Sequence, residues 1–410
     1  MRTPLPAALL AGLTLLTLAP TASAADRPYS EQCSFPNGKY PGRPWSLQRV
    51  MLDELWSQSK GEGVQVAVID TGVDTKNPQL KGAVDAKDGR TFKPPGAKDD
   101  NGDPLDWGAA DGTTDTVGHG TKVAGIIAAR PADGTGFVGL APEATIIPLK
   151  QNDAEGHGTP DTLADAITYA VGKGADVINI SQDTTGAKKP SDRLRQAVES
   201  ALSQGVVVVA SAGNDGTGGN VKKTYPASYH GVLAVASSDR NNERAAFSQS
   251  GDFVGVAAPG VDMISTVPAG GHCSDNGTSF SAPYVAGVAA LIKAKHPKWT
   301  ARQVVAQIEQ TAERTIAGHD RLVGWGVVDP VRALTEDDRP IESPDPDQGL
   351  AQAEAPTPAK FHLGETPSER NARLATYVAV GAAVLVAGIS GGAVAIRDAR
   401  RRRERVRGAV

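Results

Sequence analysis

Cysteine is almost missing from this chain: two residues, Cys33 and Cys273, serve 410 positions. So few thiols, so far apart, exclude a structural zinc site, which needs four ligands at close spacing. Aromatic residues amount to only 5%. No segment repeats at a fixed period, which leaves a repeat-built adhesin without support. Basic charge has no excess outside the last fourteen residues, where seven Arg face Asp398 and Glu404. The formal net charge of −4 therefore leaves −9 for the rest. An acidic body excludes nucleic acid as the partner, because phosphate backbones are held by Lys and Arg. The acidic stretch 85–115 lacks the ordered alternation of ligands found in calcium loops and reads as a solvated insertion.

What the chain does have is glycine and apolar residues. With 46 Gly and 40% hydrophobic residues, it can bury one core of roughly 250 to 300 residues plus accessory segments. Both ends read as membrane signals. Arg2, an apolar run from Ala7 to Ala19 and the small residues Ala22, Ser23 and Ala24 form a cleavable export signal over 1–25. Residues 374–396 carry no charge over 23 positions, enough to cross a bilayer. The Arg-rich tail, 397–410, follows at once. Basic flanks stay on the cytoplasmic side, so a single-pass protein of the cell membrane is expected, its body extracytoplasmic and its C-terminus cytoplasmic. In that oxidising location Cys33 and Cys273 either pair or stand as two free thiols; pairing ties an N-terminal arm, 26–60, to a distant turn. An acidic, Pro-rich linker is expected over 333–373, held extended by its prolines and its charge.

Between arm and linker, residues 61–332 alternate strand with helix. Strands are expected at 64–69, 144–149, 176–180, 206–210 and 232–236, helices at 162–171 and 193–203. That order predicts an α/β fold with a mostly parallel sheet covered by helices on both faces. Such sheets collect their chemistry at the C-terminal ends of strands. Asp70 ends the first strand and is either a turn former or a catalytic carboxylate. Asn214 follows the fourth strand, either as a left-handed turn residue or as an amide donor to an oxyanion. His119, between Gly118 and Gly120, opens an apolar helix. A second Gly-His-Gly-Thr, at 156–159, is followed by Pro160 and Asp161 and reads as an exposed loop. Ser279 opens a buried helix through Ile292. It is either an ordinary cap or a nucleophile whose developing charge meets unpaired backbone N–H groups.

Asp70-Thr-Gly, His119-Gly-Thr, Ala-Gly-Asn214 and Gly-Thr-Ser279 before Ala282-Pro283 resemble, in that order, the subtilisin-like serine proteases of peptidase family S8. The resemblance implies a subtilisin-like three-layer fold, with Ser279 as nucleophile, His119 as base, Asp70 orienting the imidazole and Asn214 in the oxyanion hole. It implies a polypeptide substrate lying extended between edges at Gly156 to Gly158 and at Ser181 and Gln182. The chemistry then calls for no metal and no organic cofactor. Calcium-binding subtilisins carry Asp where this chain has Gln79, so no high-affinity calcium site is expected there. The succession of signal, short arm, protease domain, linker, membrane helix and basic tail further resembles the mycosins, membrane-anchored subtilases of type VII secretion. A role in processing or supporting secretion, beside that membrane complex, is what this likeness implies. The arm is too short for a folded prodomain and is expected to stay attached, leaving the site open. A scaffold that stabilises a secretion complex, with proteolysis secondary, is the competing reading.

Overall fold

The computed structural model describes residues 32–98, 102–153, 158–182, 191–218, 223–314, 316–346 and 365–407. Two short helices, α1 (Trp45–Gln48) and α2 (Leu52–Gln58), precede β1 (Gln65–Asp70) and β2 (Arg90–Thr91). Then come α3 (His119–Ala128), β3 (Thr145–Lys150), α4 (Pro160–Gly172), β4 (Val177–Ile180), α5 (Asp192–Ser203), β5 (Val207–Ser211) and β6 (Leu233–Ser238). The series closes with β7 (Val254–Pro259), β8 (Met263–Thr266), β9 (His272–Asp275), α6 (Thr278–Lys295), α7 (Ala301–Thr311), α8 (Pro330–Thr335) and α9 (Pro367–Arg407). Seven strands form one sheet in the order β2-β3-β1-β4-β5-β6-β7, while β8 and β9 pair separately as an antiparallel hairpin.

Every pairing in the large sheet is parallel, as the alternation of strand and helix predicts. Its strands are nearly continuous runs of Val, Ile and Ala because both faces are covered. Successive side chains part to opposite sides. Val66, Val68, Val177 and Val207 join the core that holds Val123, Val285 and Ile308, whereas Ala67, Ile69, Ile178 and Val208 join the core that holds Ile167 and Val198. Each buried Val or Ile stabilises the fold by about 1.5 to 3 kcal/mol. The α6 helix is buried all round, from Phe280 through Tyr284 and Leu291 to Ile292, and is accordingly apolar all round.

Each of the five expected strands begins one residue late. Val64, Ala144, Val206 and Val232 give their N–H groups to carbonyls of the entering turn instead. Two stretches depart further from expectation. The helix expected from 162 begins at Pro160, directly behind the second Gly-His-Gly-Thr: Thr159 caps α4 in a reciprocal capping box with Thr162, and Pro160 takes the first helical position, where its missing N–H costs nothing. His157 itself lies outside the described residues. Nor is the 85–115 stretch wholly solvated, since Trp107 and Asp115 are buried.

Residues 336–346 run back along α7, where Arg302 Nε donates to the Glu342 carbonyl (2.7 Å) and Gln303 Nε2 to Glu342 Oε1 (2.8 Å). A separate unit, residues 352–410, contains α9, a helix long and apolar enough to cross a membrane.

The arm is held by covalent and polar contacts. Cys33 and Cys273 form a disulfide, Asn37 Nδ2 donates to the His272 carbonyl (2.8 Å), and the Tyr40 N–H donates to His272 Nδ1 (3.0 Å). With Nδ1 accepting, the ring's proton sits on Nε2, which donates to Gln79 Oε1 at 2.7 Å. Gln79 Nε2 in turn serves the carbonyls of Arg130 (2.8 Å) and Phe137 (3.0 Å). Burial, with Lys39 adding to it, pushes the His272 pKa down to about 4.

Candidate active site

Asp70 is the last residue of β1 and its side chain is 1% exposed. Its Oδ1 accepts the Thr71 N–H at 2.8 Å and meets His119 Nδ1 at 2.7 Å. His119 is the first residue of α3. The glycines around the pair are steric necessities. A Cβ on Gly120 would stand 2.1 Å from the Gly72 carbonyl oxygen, and one on Gly72, whose φ is +104°, would stand 2.3 Å from the Thr114 carbonyl oxygen. Only bare backbone lets the helix approach the strand end this closely.

The His119 side chain is 27% exposed, and its ring centroid lies 5.2 Å from that of Phe280. Burial opposes charging this ring. The Asp70 charge and hydrogen bond, supported by Asp115, nevertheless outweigh burial and the opposing Lys122, so the His119 pKa stands above its ordinary 6.5.

Phe280 belongs to the first turn of α6. Ser279 is its second residue and is 8% exposed. Asn214 follows β5, and its Oδ1 accepts both the N–H (2.9 Å) and the hydroxyl (3.0 Å) of Thr278. A backbone N–H can only donate, which fixes the oxygen on that side and turns Nδ2 the other way. The space that a Cβ on Gly277 would fill is 2.9 Å from Ser279 Oγ and 3.6 Å from Asn214 Nδ2. Hydroxyl and amide therefore face one small volume in front of a glycine. The structure brings Asp70 to His119 and Ser279 to Asn214, and Phe280, the residue after Ser279 in α6, packs its ring near that of His119.

The expected substrate edges are less complete. Gly156 lies outside the described residues. The Gly158 N–H donates to Asn152 Oδ1 at 2.9 Å. Ser181 is buried and accepts from Asn179 Nδ2 (2.8 Å), while Gln182 Nε2 donates to the Ile69 carbonyl at 3.1 Å, folding its side chain back onto the end of β1. Sequence reasoning missed two charged residues beside the site. Lys122, buried on α3, reaches Asp275 Oδ2 at 2.8 Å and joins the helix of His119 to the strand before Ser279. Asp115 lies under the start of α3. Its only sequence signal is an Asp four positions before a Gly-flanked His.

A parallel α/β sheet with a buried Asp–His pair at one strand end and a serine at a helix start has the architecture of a subtilisin-fold serine protease. The profile of the subtilase family (Peptidase_S8) matches residues 61–326. The chain is 40% identical over 286 residues to subtilisin Savinase of Lederbergia lenta, spanning 70% of this chain and 96% of that one. It is 37% identical over 287 residues to subtilisin E of Bacillus subtilis strain 168, spanning 70% and 69%. Among solved structures it is similar to MycP1 from Mycobacterium smegmatis, at 30% identity and a TM-score of 0.64 over 85% of this chain and 97% of that one. It is also similar to the MycP3 protease from the type VII (ESX-3) secretion system, at 34% identity and a TM-score of 0.61 over 72% and 89%. The chain belongs to the subtilase family and is a serine endopeptidase with mycosins among its structural neighbours.

Proposed function

We propose that this subtilase is anchored in the cell membrane by α9, stands on the extracytoplasmic side with its C-terminus in the cytoplasm, and processes or supports substrates of type VII secretion through a triad of Asp70, His119 and Ser279. The observation that carries the catalytic assignment is the 2.7 Å bond between Asp70 and His119 Nδ1. It keeps a proton on Nδ1 and leaves Nε2 as the basic nitrogen. Nε2 takes the Ser279 hydroxyl proton as Oγ bonds to the scissile carbonyl carbon. The carbonyl electron pair moves onto oxygen, where Asn214 Nδ2 and the Ser279 N–H donate to it. When the C–N bond breaks, the leaving amine receives the proton from Nε2. Water, deprotonated by the same nitrogen, then releases the acyl group and restores Ser279. The peptide lies extended along Gly156 to Gly158 and Ser181 to Gln182, giving its backbone hydrogen bonds to these edges.

The anchor rests on α9 and on the basic residues from Arg397 onward, which stay on the cytoplasmic side. A solved relative, MycP1, is an essential component of the type VII (ESX-1) secretion system. That likeness also supports the second reading, a scaffold with proteolysis secondary. Secretion in cells carrying Ser279→Ala, compared with cells lacking the chain, separates the two. Equal loss supports processing, and rescue by the inert form supports the scaffold. Carbonate extraction of membranes tests the anchor: the full chain stays in the pellet, and a full chain released to the supernatant contradicts it.

A further inference from the structure

One carboxylate outside the Asp70–His119 pair gathers the backbone on which that pair is mounted. Asp115 is 6% exposed. Its Oδ1 accepts from the Thr71 hydroxyl (3.0 Å), the Val117 N–H (3.1 Å) and the Gly118 N–H (2.8 Å). Its Oδ2 accepts from both the N–H (2.9 Å) and the hydroxyl (2.6 Å) of Thr121. Thr71 Oγ1 also accepts the Gly120 N–H at 2.9 Å, and Thr121 Oγ1 accepts the Asp74 N–H at 3.0 Å.

These bonds join the turn that follows Asp70 to the first turn of α3. That helix has Gly118 at its N-cap and no side-chain cap of its own. Thr71 and Asp115 therefore take the first-turn N–H groups that a cap residue would take. Burial pushes the Asp115 pKa up, and the hydrogen bonds from Thr121 and Gly118 oppose that rise; five donors on two oxygens suit the ionised carboxylate. An Asn of the same shape keeps one acceptor and turns its NH2 against donors on the other side.

We propose that Asp115 is a positioning residue of the catalytic pair, holding the Asp70 turn and the His119 helix in one register and thereby setting the bond between them. It touches no reacting atom. The inference rests on Asp70 and His119 being that pair. A displacement of about 1 Å in a catalytic group costs on the order of 100-fold in rate, which is the scale of effect expected here. Charge adds a second signature. The charged groups facing His119 are Asp70 from β1, Asp115 from the preceding loop and Lys122 from α3 itself. Those around Asp115 are Asp70, His119 and the buried Lys150 of β3, whose Nζ donates to the Thr114 carbonyl. Asp115 favours the protonated imidazole, so removing its charge moves the acid limb of activity to lower pH.

The test uses the full-length protein in detergent with a chromogenic peptide, comparing the parent with Asp115→Asn, Thr71→Val and His119→Ala. Rates are divided by titrated active sites, and folding is checked by thermal melts. Asp115→Asn is expected to lower kcat about 100-fold with KM within about twofold, and to lower the pH of the acid limb. Thr71→Val, which deletes the hydroxyl between Asp115 and Gly120, is expected to lower kcat about tenfold. A folded Asp115→Asn with parent kcat and an unmoved acid limb overturns the proposal, as does a loss that disappears on division by active sites. If Asp115→Asn does not fold, Thr71→Val decides: parent kcat overturns the proposal, and a lower kcat at unchanged KM upholds it. Activity surviving in His119→Ala instead overturns the assignment of the pair, and the positioning role with it.

Discussion

His119 must be neutral to accept a proton, yet Asp70 and Asp115 favour its charged form and raise its pKa above 6.5. The acid limb of kcat/KM is therefore expected above pH 6.5, and a pH–rate profile that stays flat down to pH 6 would contradict it. Asn214→Ala removes the amide that shares a volume with Ser279. Its expected effect is a 10² to 10³-fold loss in kcat, a magnitude taken over from subtilisin, where this donor has been removed; steady-state kinetics with KM little changed would match it. The four positions proposed to carry the chemistry stand out in the sequence because a Gly lies within two residues of each. Gly72 and Gly120 mark where a strand end and a helix touch, and Gly277 marks the volume facing Ser279 and Asn214. Asp115 is not legible. Its neighbours from 85 onward are rich in Asp, Lys and Pro, and composition alone cannot tell a carboxylate that gathers five hydrogen bonds from one in water.

Elements carry their own titrations. Glu309 lies on α7, with Oε1 3.2 Å from where a Cβ on Gly255 of β7 would sit. Burial raises its pKa to about 7 against the opposing Arg302. A carboxyl with a folded pKa above its unfolded 4.5 favours the fold below pH 4.5, and that advantage is lost as pH rises through 7. Glu309→Gln is therefore expected to stabilise the chain above pH 7 by as much as roughly 3 kcal/mol and to change little at pH 4, as denaturant unfolding at both pH values would read. His272, which joins β9 to the arm, has the opposite sign. Its folded pKa of about 4 lies below the ordinary 6.5, so its contribution is present above pH 6.5 and is lost as pH falls through 4. Between those values the parent should lose up to roughly 3 kcal/mol that His272→Gln does not lose. At this scale the sequence reveals the parallel strands through their unbroken apolar runs. The start of α4 stays hidden because Pro160 and Asp161 serve equally as turn residues and as a helix N-terminus. The path of 336–346 along α7 stays hidden because Asp, Pro and Ser suit both a tether and a polar contact.

At the scale of the whole molecule, one disulfide ties the arm to the catalytic unit. The Cys33–Cys273 disulfide closes a loop of sequence separation 240, and replacing both residues by Ser is expected to cost about 2 to 5 kcal/mol in denaturant unfolding. The arm then stays on the catalytic unit through the bonds of Asn37 and Tyr40 to His272, the bonds of Trp45 to Val261 and Trp56 to Leu140, and the burial of Leu47, Val50, Leu52 and Leu55 in the main core. The apolar run within α9 is legible by length and absence of charge, whereas the topology proposed for it rests on the Arg that follow it. All of this serves one central claim, that Ser279 is a nucleophile activated by His119. Labelling the full-length protein with a fluorophosphonate tests it most directly, beside Ser279→Ala, His119→Ala and His157→Ala. The parent and His157→Ala are expected to become labelled while Ser279→Ala and His119→Ala do not. A folded parent that takes no label, or a His119→Ala chain that labels like the parent, would contradict it.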